Sequence, residues 1–191
     1  MWNQLVPVQV RSLLRLPDVG QVGYVVDDIY QAIHAWQVIH DRVPWLVLDH
    51  DHFRMLAGKP GRCTLRIGLS YDGPLQVEFI QVLSGETIHV GAANEPGDRP
   101  HHLGFMVRDL GGRLDYCQQR GALLLQRGTI RSAGFRVDYA YLDASPVGAP
   151  GLILELIQWR LGPFPMPVDR RAFSLTRSLG SWSFLRGHIV R

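Results

Sequence analysis

The chain has 191 residues, of which 46% are hydrophobic and 19% charged, with a formal net charge of +3. That balance belongs to an ordinary globular protein with enough apolar residues for one domain or two small ones. Two cysteines, Cys63 and Cys117, exclude a disulfide framework and a zinc ribbon, and no apolar run approaches the ~20 residues that span a bilayer.

Residues 1–17 mix Val, Leu and Arg with two prolines and read as an N-terminal arm with one short strand. They lack the charged start, long apolar run and cleavage site of a secretory leader, so a reducing cytoplasm is the expected compartment. Residues 19–26 read as a strand in which Gln21, Gly23 and Val25 share one face and Val22, Tyr24 and Val26 the other. Asp27 or Asp28 can cap a following helix, whose apolar stripe is Ile29, Ala32, Ile33, Trp36 and Ile39. Pro44 to Leu48 is expected as a short strand, with Asp49 to Phe53 leading into a polar loop. Cys63, Leu65, Ile67 and Leu69 then alternate with Thr64, Arg66, Gly68 and Ser70, the period of a half-buried strand. After the turn at Tyr71–Pro74, residues 75–83 form a fourth strand. A strand, a helix and three strands thus make a first unit over residues 18–84.

Residues 85–100 read as a linker, and the pattern then starts again. His101 to Leu110 repeats Gly20 to Ile29 without a gap, His102 falling on Gln21, Gly104 on Gly23, Leu114 on Ile33 and Cys117 on Trp36, each 81 residues on. Gly121 stops the second helix, and residues 122–126, 135–142 and 152–158 supply three strands. The expected fold is α+β, with tandem βαβββ units at 18–84 and 101–159 forming curved mixed sheets around a ligand cavity. Residues 160–191 are a proline-containing tail with six arginines (160, 170, 171, 177, 186 and 191) against Asp169 alone. A solvated basic extension is the simplest account, a subunit contact the other. Without an aromatic-interleaved basic stripe in the body, neither nucleic acid nor a membrane is an expected partner.

The closing strands repeat too: Val77-Glu78-Phe79-Ile80-Gln81 matches Leu154-Glu155-Leu156-Ile157-Gln158. A carboxylate inside an apolar strand is costly unless a cation offsets it, and neither glutamate has a Lys or Arg beside it in sequence. If the two sheets curve together, Gln21, Glu78, His102 and Glu155 can meet on one divalent ion whose charge two carboxylates balance. His101 competes with His102 as a ligand, but strand alternation places it on the opposite face and aligns it with Gly20. His50 and His52 alternate with Asp49 and Asp51 and are candidate substrate contacts, as is Trp45, for which core packing is the competing account. His34, His40, His89 and His188 show no partner in sequence.

With these positions matched, residues 18–158 resemble the vicinal oxygen chelate superfamily of glyoxalases, epimerases, extradiol dioxygenases and bleomycin-resistance proteins. The resemblance is to its glyoxalase-like or methylmalonyl-CoA-epimerase-like branch. It implies metal ligands at Gln21, Glu78, His102 and Glu155, a zinc, nickel, cobalt or manganese ion, a small-molecule carbonyl substrate and a homodimer. The Gln, Glu, His, Glu set is similar to that of eukaryotic-type glyoxalase I. Extradiol dioxygenases use two histidines and one glutamate, against which Gln21 argues, and bleomycin-resistance proteins lack the ligands. The implied activity is that of a lyase or isomerase, with Glu155 or Glu78 as the base that moves a proton on carbon beside a carbonyl. The contrasting expectation is a protein that sequesters a small molecule without turning it over.

Overall fold

The computed structural model describes residues 2–40, 44–90, 100–132, 135–166 and 187–190. In place of the short strand expected near the N-terminus, residues 2–17 hold a 3-10 turn (Trp2–Leu5) that leads into helix α1 (Val8–Leu13). The reason is a helical stripe: Val6, Val10 and Leu14 recur at every fourth position and are buried together with Leu16. They pack on Leu103, Phe105, Leu114 and Leu142 of the second unit, so the N-terminal segment seals that unit's core.

The first unit comprises β1 (Gln21–Val25), α2 (Ile29–Ile39), β2 (Trp45–Leu56), β3 (Lys59–Asp72) and β4 (Leu75–Gly85). The second comprises β5 (His102–Met106), α3 (Leu110–Gln118), β6 (Leu123–Ser132), β7 (Phe135–Asp143) and β8 (Ile153–Leu161). The short strands β9 (Phe164–Pro165) and β10 (Gly187–Val190) flank them. Both long helices start on the equivalent aspartate: Asp28 accepts from the N–H groups of Tyr30 and Gln31, and Asp109 from that of Gly112. In α2, Ile29 and Ile33 are buried, whereas Ile39, placed on the same stripe by sequence, is 79% exposed at the helix end.

Asp49 to Phe53 is no loop either. β2 continues through it to Leu56, paired along its length with β3. Its outer face turns polar past Leu48, with Asp49 bound to Arg66 and Asp51 to Arg62 across the strands, so the charges that suggested a loop are a solvated ladder of ion pairs. Trp45 and Val47 face α2, while Leu46, Leu48, His50, His52 and Arg54 share the opposite face.

The strands run in the order β10-β2-β3-β4-β1-β5-β8-β7-β6, with β9 beside β8. Within each unit the first and last strands are parallel neighbours, β1 with β4 and β5 with β8. Antiparallel pairing of β1 with β5 fuses the units into one sheet, and pairing of β2 with β6 closes that sheet on itself. The helices lie outside: α2 covers Trp45, Val77 and Phe79, and α3 and α1 cover the second sheet. The inner face holds an apolar cluster of Cys63, Leu65, Ile67, Leu69 and Ile80 from the first unit. Of the basic tail, Arg160 belongs to β8, while Arg170, Arg171, Arg177, Arg186 and Arg191 lie outside the described residues. Among the described residues no helix is long and apolar enough to cross a membrane.

Candidate metal centre at the seam of the two units

The seam between β1 and β5 is built from the duplicated sequence itself. In the antiparallel register Gly23 faces His102 and Gln21 faces Gly104. Each polar side chain therefore crosses the glycine of the other unit. A Cβ on Gly23 would lie 1.9 Å from Cε1 of His102, and one on Gly104 would lie 2.6 Å from Oε1 of Gln21. The repeated glycines are thus the cradle for the two neutral side chains. The parallel neighbours bring the acids to the same face, since Gly23 pairs with Glu78 and Gly104 with Glu155.

As a result Nε2 of His102 stands 3.3 Å from Oε2 of Glu78 and 3.1 Å from Oε2 of Glu155. Ligand atoms of Glu78, His102 and Glu155 all lie within 4.8 Å of one another. Exposure is 3% for Gln21, 8% for Glu78, 1% for His102 and 5% for Glu155, so bulk water does not offset the two carboxylates. Among the described residues, Oε1 of Gln21 is buried with no hydrogen-bond partner, and the buried Nε2 of His102 meets only Oε2 of Glu78 and of Glu155. Gln21 is tied down through Nε2, which donates to Oε1 of Gln76, and Tyr141 lies beside Glu155. Three oxygens and one imidazole nitrogen on one inner face fit a divalent ion, whose charge the two carboxylates match.

The charges of the metal-free site follow from this crowding. Burial alone pushes the His102 imidazole down, but the pull of Glu155 and Glu78 outweighs it and lifts His102 to about 9. Burial raises the Glu78 carboxyl, with His102 partly opposing it. A proton on His102 thus fills the role of a cation in the metal-free protein. Burial, with the Glu155 and Glu78 charges, pushes the Tyr141 hydroxyl well above its ordinary range and keeps it a donor.

A second network, invisible in the sequence, lines the same inner face. Thr87 donates to Oε1 of Gln126 at 3.0 Å and lies 3.0 Å from Nδ1 of His89. With its hydroxyl proton so used, Thr87 can only accept from His89. Nε2 of Gln126 donates to the Tyr139 hydroxyl, which stands 2.9 Å from Nε2 of His52. His89 is buried, edge-on to Tyr141 and 5.0 Å from the His101 ring. It lies in the stretch expected as a linker, where Thr87 and His89 are buried between exposed Glu86 and Val90, the reverse of what their polarity signals in sequence.

The other predicted contacts separate. His52 is inside the closed sheet, and burial followed by the neighbouring His50 holds it down at about 4. His50, half-buried on the same face of β2, is also shifted down by burial. Trp45 is fully buried under α2 and stacked on Phe79, which makes it core and removes it from the site. His101 is beside His102, its Nδ1 3.2 Å from Nδ1 of His102. His40 stacks on Trp36, and the side chain of His188 lies outside the described residues.

Comparison with known proteins agrees with this fold. The sequence profile described as the Glyoxalase/Bleomycin resistance protein/Dioxygenase superfamily matches residues 20–141. No curated protein matches the sequence. Among solved structures, a hypothetical protein from Bacillus halodurans C-125 superposes with a TM-score of 0.51 at 17% identity, covering 73% of this chain and 92% of its own. Methylmalonyl-CoA epimerase from Mycobacterium tuberculosis gives 0.51 at 16% identity, covering 82% and 94%. Methylmalonyl-CoA epimerase from Streptomyces coelicolor, solved with 2-nitronate-propionyl-CoA, gives 0.53 at 11% identity, covering 80% and 99%. At such identities these likenesses speak for the fold.

Proposed function

Since the chain belongs to the glyoxalase, bleomycin resistance and dioxygenase superfamily, we propose that it is a divalent-metal-dependent enzyme that moves a proton on carbon next to a carbonyl group. The observation that carries this reading is the set of four buried polar side chains on one inner face, Gln21, Glu78, His102 and Glu155, drawn equally from the two units, with both carboxylates crowded on one imidazole. A divalent ion held there supplies a Lewis acid for the carbonyl oxygen and for the negative charge that develops when the adjacent carbon loses its proton. Gln21 and His102 hold their donor atoms in place without adding charge. Glu78 and Glu155 are the proton carriers.

Burial raises the proton affinity of Glu78, which suits it to take a weakly acidic proton from carbon. Glu155, from the same unit as His102, stands 3.1 Å from it with Tyr141 alongside. One carboxylate removes the proton from carbon and is thereby protonated, the proton passes to the other carboxylate, and that group returns a proton to carbon, leaving both ionised as at the start. Return to the same carbon gives epimerisation, and return to its neighbour gives isomerisation of the glyoxalase kind. The closed sheet keeps both carboxylates largely out of bulk water, which preserves their basicity.

The test is exchange of a carbon-bound proton with solvent deuterium. Zinc-, cobalt-, nickel- or manganese-loaded protein is incubated with 2-oxo acids, 2-methyl-acyl thioesters and hemithioacetals in heavy water and followed by NMR. Exchange is expected in one of these classes. Glu78→Gln and Glu155→Gln should each slow it by about 10²–10⁴-fold, the usual cost of losing a positioned base. Full exchange in both variants would refute the assignment.

A further inference from the structure

His101 lies next to a ligand in sequence and has no role in the proton transfer, yet it is held as firmly as the ligands. Its backbone N–H donates to the carbonyl of Gly23 at 2.8 Å, the glycine over which the His102 ring lies. Its ring lies beside the backbone of Ile88. Its Nδ1 is 3.2 Å from Nδ1 of His102, and the two rings meet edge to face at 85°. Two nitrogens at this distance share one proton, because two lone pairs repel and two N–H groups clash.

A histidine that is to ligate through Nε2 must carry its remaining proton on Nδ1. Left to itself, neutral His102 gains more by keeping that proton on Nε2, where Glu78 and Glu155 stand ready to accept it. That tautomer closes the site to a cation. An acceptor at Nδ1 reverses the preference, and metal-ligating histidines commonly donate their second N–H to such a partner.

We propose that His101 is the positioning residue for His102: its Nδ1 accepts the Nδ1–H of His102, so that Nε2 of His102 presents its lone pair between the two glutamates. The relay runs through two imidazoles to the seam. The inference rests on the metal site of the proposed function and names the device that prepares it.

The experiment is titration of chelator-stripped protein with cobalt(II), read by the visible absorption of the bound ion and by calorimetry. His101→Leu removes the acceptor and is expected to weaken cobalt binding about 10–100-fold, the usual cost of losing such a partner. His101→Gln, whose amide oxygen can accept the same proton, is expected to restore most of the affinity, which a purely space-filling role for His101 does not predict. In zinc-loaded parent protein labelled with nitrogen-15, the Nδ1–H of His102 should appear as a slowly exchanging, downfield proton. Binding by His101→Leu at parental affinity, or an Nε2–H tautomer of His102 in the zinc-loaded protein, overturns the relay while leaving the metal site standing. No cobalt uptake by the parent protein overturns both.

Discussion

Gly23 and His102 show how far the site depends on single atoms. With only 1.9 Å between a new Cβ and the His102 ring, Gly23→Ala cannot be absorbed without turning the imidazole away from Glu78 and Glu155. The variant should lose about 1–3 kcal/mol in urea unfolding, the range for overpacking, and bind zinc far more weakly; parental stability and zinc affinity would contradict the crossing described here. The same residues set a pH dependence. His102 is lifted from 6.5 to about 9 in the metal-free protein and the Glu78 carboxyl is also raised, so both favour folding in their protonated forms. Their contributions are complete at low pH, that of Glu78 fading first, and that of His102 is lost as pH climbs from 6.5 through about 9. The melting temperature of chelator-treated protein should therefore fall over that interval, and zinc should raise it more at pH 9 than at pH 6.5. His52 is held at about 4 and acts oppositely, its contribution being present above 6.5 and lost as pH falls through 4. His52→Gln should flatten the acid side of the same curve and leave the alkaline side unchanged. At this scale the sequence was readable where the duplication paired residues, Gln21 with His102 and Glu78 with Glu155. Tyr139, Tyr141, Gln126 and His89 escaped it because their meeting depends on the registers of β6, β7 and β8 and on a connecting segment with no counterpart in the pattern.

The elements were legible in proportion to how cleanly their apolar periods stand out. The strands with alternating patterns and the two aspartate-capped helices lie within a few residues of their expected places. β2 is the instructive miss, because a run of Asp and His residues looks like a loop until the cross-strand arginines Arg62 and Arg66 are set opposite it. Composition reported the solvated face and concealed the buried one. Helix α1 was missed for another reason: at six residues it is too short to assert itself by propensity, and tertiary packing of Val6, Val10 and Leu14 creates it. Leu14, 0% exposed between α1 and the second sheet, gives the check. Leu14→Ala should cost about 2–5 kcal/mol in urea unfolding, as large-to-small changes in a packed core do, while zinc affinity stays at the parental value. A loss below 1 kcal/mol would show that α1 is not part of that core.

At the scale of the whole molecule, the duplicated unit explains why the site exists at all. Glu78 of the first unit is paired with a histidine of the second, and the two units together place both acids around that histidine at an interface made by their equivalent first strands. The pairing of β2 with β6 then closes the sheet and leaves the seam out of bulk water. Two curved sheets facing one cavity were anticipated from the repeat; their closure was not, since no local pattern in β2 or β6 says which distant strand it will meet. In the proposed function the two units share one cation. Zinc titration of chelator-stripped protein, with elemental analysis of the product, measures this directly. One ion per chain is predicted, with Glu78→Gln and Glu155→Gln each weakening its binding at least tenfold although they lie in different units. No zinc uptake, or uptake that both variants leave unchanged, would contradict it.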